Sequence, residues 1–189
     1  MKRVLFGAAP LFIMSLLAAQ SVAVEPDTGS DAKAQSEIYT VFLANWIGRS
    51  KTPVNVSQRA EPLSAEDIKS FDDCSGAQRQ WMPVIGSDNL AGQMGDLSNV
   101  RMVNPDTWKS RDPDHLMAQG NSVDSAVRDG IDSGLMKFSV VALDPAGKTA
   151  ALRYEFVCGR LCGSGGSVLF TKTQQGWIVD KRNCTSWIS

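Results

Sequence analysis

Four cysteines are the residues of this 189-residue chain whose type and spacing could support covalent or metal chemistry: Cys74, Cys158, Cys162 and Cys184. An even number of cysteines is typical of paired disulfide bonds in an oxidising compartment, and four of them allow three pairings. A four-cysteine zinc site is the alternative, but one C-x-x-x-C segment with two distant single cysteines lacks the paired C-x-x-C segments of such sites. We therefore predict two disulfide bonds, no metal and no cofactor.

Two short motifs resemble functional sequences, but their contexts contradict both. Residues 142–149, ALDPAGKT, fit a loose phosphate-binding loop, yet a strand-like segment follows where that loop needs a helix N-terminus. Residues 162–166, CGSGG, are similar to the surroundings of the nucleophilic serine in trypsin-like proteases, which also need a histidine base. The single histidine, His115, has no flanking motif. We therefore assign no catalytic residue, and an enzyme is the less favoured interpretation.

Arg160, Gly163 and Gly165 are the candidate binding residues, in the segment GRLCGSGG at 159–166. Glycines can expose backbone N–H groups and Arg160 adds a positive charge, a combination that can hold an anion or a carboxylate. The alternative is a hairpin connection whose glycines only permit tight turns.

Helical patterns dominate the first two thirds of the chain. Apolar residues at helical spacing predict a helix over 31–47, and Ser64 with Asp67 predicts a capping box that begins a shorter helix ending before Cys74. Ser122 is a candidate cap for a third helix, over 123–129. The intervening residues 81–121 read as loops with one short strand.

The C-terminal third predicts four strands, at residues 137–143, 149–158, 167–173 and 177–182. Short turns between them indicate antiparallel neighbours. The predicted fold class is therefore α+β, with N-terminal helices packed on one face of a C-terminal four-stranded antiparallel meander.

This meander bears on the cysteine pairing. It places Cys158 and Cys184 at the same sheet edge but two strands apart, at about 9–10 Å between Cα atoms, whereas a disulfide tolerates about 7 Å. We favour Cys158 with Cys162 and Cys74 with Cys184. The pairing of Cys162 with Cys184 and of Cys74 with Cys158 stays open.

The N-terminus has the pattern of a secretory signal peptide. Lys2 and Arg3 precede an apolar run at 4–19, and small residues at Ser21 and Ala23 match a cleavage site. A retained membrane anchor is the alternative, but a span needs about 20 apolar residues. We predict a signal peptide at 1–23, a flexible lead-in at 24–30, a single domain at 31–189 and a periplasmic or secreted location.

Charge and hydropathy limit the partners. Cleavage would remove two of the 19 basic residues and none of the 20 acidic ones, which moves the net charge from −1 to −3. No basic patch is present, so a nucleic-acid partner lacks electrostatic support. No second apolar run could cross a membrane, so we expect a protein or small-molecule partner.

Several C-terminal segments together resemble a family of small exported bacterial proteins that has no assigned activity. The matching pieces are FSVVALD at 138–144, YEFVCGRLCGSGG at 154–166, Gly176-Trp177 and the final WIS. The resemblance covers about the last 55 residues and, more weakly, the first helix. It implies an exported bacterial α+β domain and carries over no catalytic residues.

Three functions fit these observations. The favoured one is an exported, non-catalytic module that binds a partner or small ligand. The first alternative is a cell-envelope hydrolase with a cavity between helix and sheet, which would need convergent carboxylates. The second is a thiol redox protein, which would need free or easily reduced cysteines.

Overall fold

The computed structural model describes residues 28–48, 52–84, 88–94, 97–182 and 184–189. The predicted signal peptide and residues 24–27 of the predicted lead-in lie outside these ranges. Residues 28–30, also predicted as lead-in, belong to the first helix.

In the described part of the chain, four α-helices form where local sequence signals favour them. They are α1 (Thr28–Ile47), α2 (Ala65–Ser75), α3 (Pro113–Ala118) and α4 (Val123–Asp132), with a 3₁₀ turn at Leu90–Gly92. The predicted capping box is present, because Ser64 accepts a hydrogen bond from the Asp67 N–H and the Asp67 carboxylate accepts one from the Ser64 N–H. Gly76 ends α2 at φ 70°, a conformation that favours glycine.

Among the described residues, nine strands form one mixed sheet. They are β1 (Val54–Ser57), β2 (Met82–Pro83), β3 (Val100–Val103), β4 (Leu135–Phe138), β5 (Ala142–Leu143), β6 (Thr149–Gly159), β7 (Cys162–Thr173), β8 (Gly176–Val179) and β9 (Ser186–Ile188). The long antiparallel β6–β7 hairpin runs through its centre. On the outer side of β6 lie β4 and β5, and on the outer side of β7 lie β8 and β9. Beyond β4 the sheet continues through β1 and β3, which are parallel, and beyond β5 through β2.

The predicted four-stranded antiparallel meander is therefore wrong. Val54–Ser57 adds a parallel strand from the half that was predicted to hold helices and loops, and its polar Asn55 and Ser57 are buried, which hides the strand pattern. The predicted strand at 137–143 is divided between β4 and β5. Between them the pairing register on β6 shifts by one residue, and Glu61 exchanges backbone hydrogen bonds with Phe138 and Val140.

Helices cover both faces of the sheet rather than one. Alternating residues of β6 face opposite ways: Leu152 packs with α1 in the larger core, and Ala151 packs with α2 in the smaller one. The α1 side chain of Tyr39 is fully buried, and its hydroxyl donates a 2.8 Å hydrogen bond to the Ser139 carbonyl. Burial raises the pKa of that hydroxyl above its ordinary value, so the donor stays neutral.

Two disulfide bonds close the fold, with the connectivity that we favoured. Cys158 joins Cys162 at a Cα–Cα distance of 5.0 Å, and Cys74 joins Cys184 at 4.8 Å. Cys184 was predicted at the same sheet edge as Cys158, two strands away from it. That position is wrong. Both β8 and β9 pair with β7, so Cys184 lies between them, next to Thr185, whose carbonyl accepts the N–H of mid-strand residue Ser167.

A salt bridge supports the segment that carries Cys184. Arg182 pairs with Asp180 at 2.6 Å, and its guanidinium also donates to the Ser75 carbonyl at the end of α2. A cation is favourable at a helix C-terminus. The hydrogen bond from Arg182 lowers the pKa of the Asp180 carboxyl below its ordinary value.

None of the helices in the described part of the chain has the length and apolar content that a bilayer crossing requires.

The two disulfides should contribute unequally to stability. Cys74–Cys184 closes a sequence separation of 110 and Cys158–Cys162 one of 4. In the chain-entropy view, replacing both members with serine costs about 5 kcal/mol for the long bridge and about 2 kcal/mol for the short one. Urea unfolding of the two double variants measures this. Equal losses would contradict the assignment of the long bridge as the main covalent restraint.

Candidate functional site

An apolar groove of about 500 Å³ opens at the hairpin end of the sheet. Four regions form its walls: the C-terminal end of α1, the start of β1, the C-terminal end of α4, and the end of the sheet where β6, β7 and β9 meet. Its apolar lining residues are Trp46, Ile47, Pro53, Val54, Ile131, Phe156 and Ile188. A volume between about 300 and 1,000 Å³ with mainly apolar walls is typical of a ligand pocket.

Aromatic stacking fixes one wall of the groove. The Trp46 ring lies 5.4 Å from the Tyr154 ring and 5.9 Å from the Phe156 ring, measured between centroids. Phe42 packs against Trp46 from within α1 at 5.9 Å. Trp46 is nevertheless 37% exposed. The wall is therefore held by its buried side and presents an aromatic surface to the opening.

The short disulfide lies at the base of the groove. Cys158 is 2% exposed, and both Cys158 and Cys162 belong to the lining. Gly134 begins the approach to β4 beside them, and a Cβ atom there would collide with the Phe156 ring. The glycine therefore allows the chain to pass close to Phe156, which keeps this side of the groove closed.

Asn55 positions α4 against the sheet. This side chain is 1% exposed, and its Nδ2 donates to the carbonyls of Asp132 at 3.0 Å and Gly134 at 2.9 Å. Its Oδ1 accepts a hydrogen bond from Arg101 at 3.4 Å. The last carbonyls of a helix lack partners within the helix, so a buried amide that binds them fixes the position of its C-terminus. Asn55 thereby sets the position of Ile131 and hence the width of the groove.

The candidate residue Arg160 lies just outside the groove, in the β6–β7 turn. Its guanidinium forms a 2.9 Å ion pair with Asp114, and its N–H donates to Asp112 at 3.4 Å. A Cβ atom at neighbouring Gly159 would lie 2.6 Å from Pro113 Cδ, so this turn rests directly on the start of α3. The charge that was predicted to recognise an anion is thus already paired.

The candidate glycines Gly163 and Gly165 form a platform for Trp187. A Cβ atom at Gly165 would lie 2.6 Å from Trp187 Nε1, and one at Gly163 would lie 3.3 Å from the same ring. The Gly163 N–H donates to the Ser189 carbonyl, and Gly165 pairs with strands on both sides. Gly163 also lines the groove. The binding role of Arg160, Gly163 and Gly165 therefore stays a prediction, which the groove supports only at Gly163.

A second, smaller cavity of about 220 Å³ lies on the α2 face of the sheet. Arg153 is its central cation, and its guanidinium contacts Glu61, Asp67 at 3.0 Å and Glu155 at 3.9 Å. Lys137 lies 3.6 Å from Glu61. These carboxylates converge, as a hydrolase would need, but each is engaged by a cation. The network ties the Asp67 cap of α2 to β6.

Catalytic and metal chemistry lack a matching arrangement in the described part of the chain. His115 lies on α3, where its Nε2 is 2.9 Å from the amide nitrogen of Gln119, and it belongs to neither cavity. Among the described residues, no group of three or more histidine, cysteine or acidic side chains could hold a metal ion. All four cysteines are in disulfides.

Comparison with models of protein families, with curated proteins and with solved structures finds no match to this chain.

The groove could not be predicted from the sequence, because its residues come from distant parts of the chain. Trp46, Val54 and Ile131 belong to three elements that only the tertiary fold brings together. One signal was present in the sequence. Asn55 lies between two valines, and a buried amide in such a context needs specific partners.

Replacement of Asn55 with alanine should destabilise the fold. Because N55A leaves the carbonyls of Asp132 and Gly134 without their donor, we expect a loss of about 1–3 kcal/mol in the free energy of unfolding. Asn45 is the matched control, since its amide donates to Val41 on an exposed helix surface. Urea unfolding should show a change of about 0.5 kcal/mol or less for N45A. Equal effects of the two substitutions would contradict the positioning role of Asn55.

Proposed function

We propose that this chain is an exported, non-catalytic binding module whose groove takes an apolar ligand or the apolar side chains of a partner. The observation that carries the proposal is the groove itself, an opening of about 500 Å³ with aromatic and aliphatic walls. Its shape is set by features of the free protein: the ring stack at Trp46, the Asn55 hydrogen bonds and the Cys158–Cys162 bond. A pocket formed before binding reduces the entropic cost of holding a ligand.

Two observations support export to the periplasm or the medium. The first 23 residues have the basic, apolar and small-residue regions of a signal peptide. Two disulfides with all four cysteines paired suit an oxidising compartment, because reducing systems keep cytoplasmic thiols free. The resemblance of the C-terminal segments to small exported bacterial proteins points the same way.

The chemistry of the lining favours binding over hydrolysis or thiol exchange. The groove contains Ser164 but no histidine, and the described lining includes one acidic side chain, Asp132. An acyl-transfer site needs a nucleophile with a base within hydrogen-bond reach. Thiol exchange needs an attackable sulfur: Cys158 is 2% exposed, which restricts attack to its half-buried partner Cys162 in the groove lining.

Export predicts a defined mature protein. Expressed in a bacterium as the full chain, the protein should be recovered from the periplasm starting at Val24, because the small residues Ser21 and Ala23 direct the cut. Intact mass should rise by four hydrogens after reduction, since two disulfides open. An A23R variant blocks the small-residue position and should leave the precursor uncut. Recovery of an uncut wild-type chain with free thiols would contradict export.

Filling the groove should weaken ligand binding. Ser164 is a half-buried lining residue on β7, so S164F introduces a ring into the opening without removing a core side chain. With the neutral apolar dye N-phenyl-1-naphthylamine as the probe, we expect the dissociation constant to increase at least about tenfold. This change equals a loss of about 1.4 kcal/mol in binding free energy. Dye fluorescence and energy transfer from the five tryptophans, of which Trp46 lines the groove, measure binding.

The matched control places the same ring elsewhere. Ser98 is exposed in a turn before β3 and does not line the groove. S98F should bind the dye as the wild type does. Unchanged binding by S164F, or an equal loss in both variants, would overturn the assignment of the groove as the binding site.

A further inference from the structure

Helix α4 carries an exposed apolar stripe. Val123, Val127 and Ile131 follow one another at four-residue intervals and are 62%, 41% and 51% exposed. Residues four apart lie above one another on a helix, so these three side chains form a continuous row about 12 Å long. Rows of this kind normally face a core.

The core-facing side of α4 is a different one. Ala126 and Gly130 are the buried residues of the helix. A Cβ atom at Gly130 would lie 2.6 Å from Pro113 Cγ, so α4 is packed as closely against α3 as its backbone allows. The exposed row is therefore additional to the packing that holds the helix in place, and no described residue covers it.

The row is continuous with the groove. Ile131 is both the last member of the row and a lining residue of the groove, in which Trp46 and Phe156 form the aromatic wall. A ligand that enters the groove beside Ile131 can extend along α4 towards Val123. The row adds about 12 Å of apolar surface to one side of the groove, which fits an elongated apolar ligand better than a compact one.

Charge decides what kind of elongated partner fits. Residues 111–132 contain five aspartates against two arginines, but Asp114 pairs with Arg160, and Arg128 lies one helical turn from both Asp124 and Asp132. Asp129 is paired with Arg111. Asp124 and Asp132 flank the row without an ion-pair partner among the described residues, and Asp132 also lines the groove. The face therefore keeps a small excess of negative charge, which disfavours an anionic lipid surface.

We infer that α4 and the groove together dock an amphipathic helix of another protein, with apolar residues at i, i+4 and i+8 and lysine or arginine beside them. Helices of this kind lay their apolar face into hydrophobic grooves. The inference rests on the proposed function in one respect: the groove receives the apolar side chain at one end of the partner helix. The acidic flanks then select the orientation and the charge of the partner.

Synthetic peptides test the surface directly, with the full chain recovered after export. The probe is a fluorescein-labelled 18-residue helix of leucine and lysine, with leucines forming one stripe. The matched control peptide has glutamate in place of every lysine and keeps the stripe. Fluorescence anisotropy should show binding of the lysine peptide that weakens with added salt, and at least about tenfold weaker binding of the glutamate peptide.

Variants then locate the contact. V127S removes the centre of the row and should weaken lysine-peptide binding about tenfold, because a buried valine side chain is lost from the complex. The double variant D124N/D132N should weaken binding and flatten its salt dependence while leaving glutamate-peptide binding no weaker. I178S is the control, since Ile178 is 51% exposed on β8, which contributes no lining residue to the groove. Circular dichroism confirms that each variant is folded.

The outcomes separate this inference from the proposed function. If the dye enters the groove in an S164F-sensitive way but V127S leaves peptide binding unchanged, the helix-docking surface is wrong and the binding module stands. If S164F leaves dye binding unchanged but V127S and D124N/D132N weaken the peptide, the surface on α4 stands without the groove. Equal binding of the two peptides, a dimer in sedimentation that V127S dissociates, or binding to phosphatidylglycerol vesicles would each overturn the inference.

Discussion

The pairing of β6 with β7 is the interaction on which the rest of this structure depends. The two strands hold register from Thr149 opposite Thr171 to Gly159 opposite Cys162, with one irregularity near the turn. Each is more than twice as long as the strands that attach to it, and each takes two short strands on its outer side. The hairpin therefore supports two half-sheets, one at each end, and the groove belongs to the end near the turn.

Polar contacts, rather than apolar packing alone, attach the remaining elements to this hairpin. Arg153 on β6 contacts the Asp67 that caps α2, and the same guanidinium contacts Glu61 in the preceding loop. Asn55 performs the corresponding task on the other side of β4, where it binds the end of α4. Such contacts are directional, so they fix the orientation of a helix more narrowly than apolar contact does. The Asn55 contact therefore also fixes the position of α4, a helix that forms one wall of the groove.

Local features of the fold could be predicted from the sequence, and long-range ones could not. The Ser64–Asp67 cap depends on residues a few positions apart and is found, whereas the connection predicted over 159–166 is wrong, since β7 already begins at Cys162. The pairing of β1 with β4 joins segments about 80 residues apart, and four-residue strands with buried Asn55 and Ser57 show no period-two pattern. The favoured cysteine pairing is found, but the sheet from which it was inferred is wrong. In the structure the chain crosses the middle of β7 between β8 and β9, and Cys184 lies in this crossing. The groove depends on all of these long-range pairings, so it could not be predicted from the sequence.

The contact of Trp187 with the glycines of β7 couples substitutions at positions that are distant in the sequence. The indole occupies the volume that side chains at Gly163 and Gly165 would need, so β9 keeps its place on β7 only while β7 has no side chains there. A larger residue on β7 would therefore be tolerated only together with a smaller one in place of Trp187. In a set of diverged sequences with this fold, the glycines and the tryptophan should therefore covary.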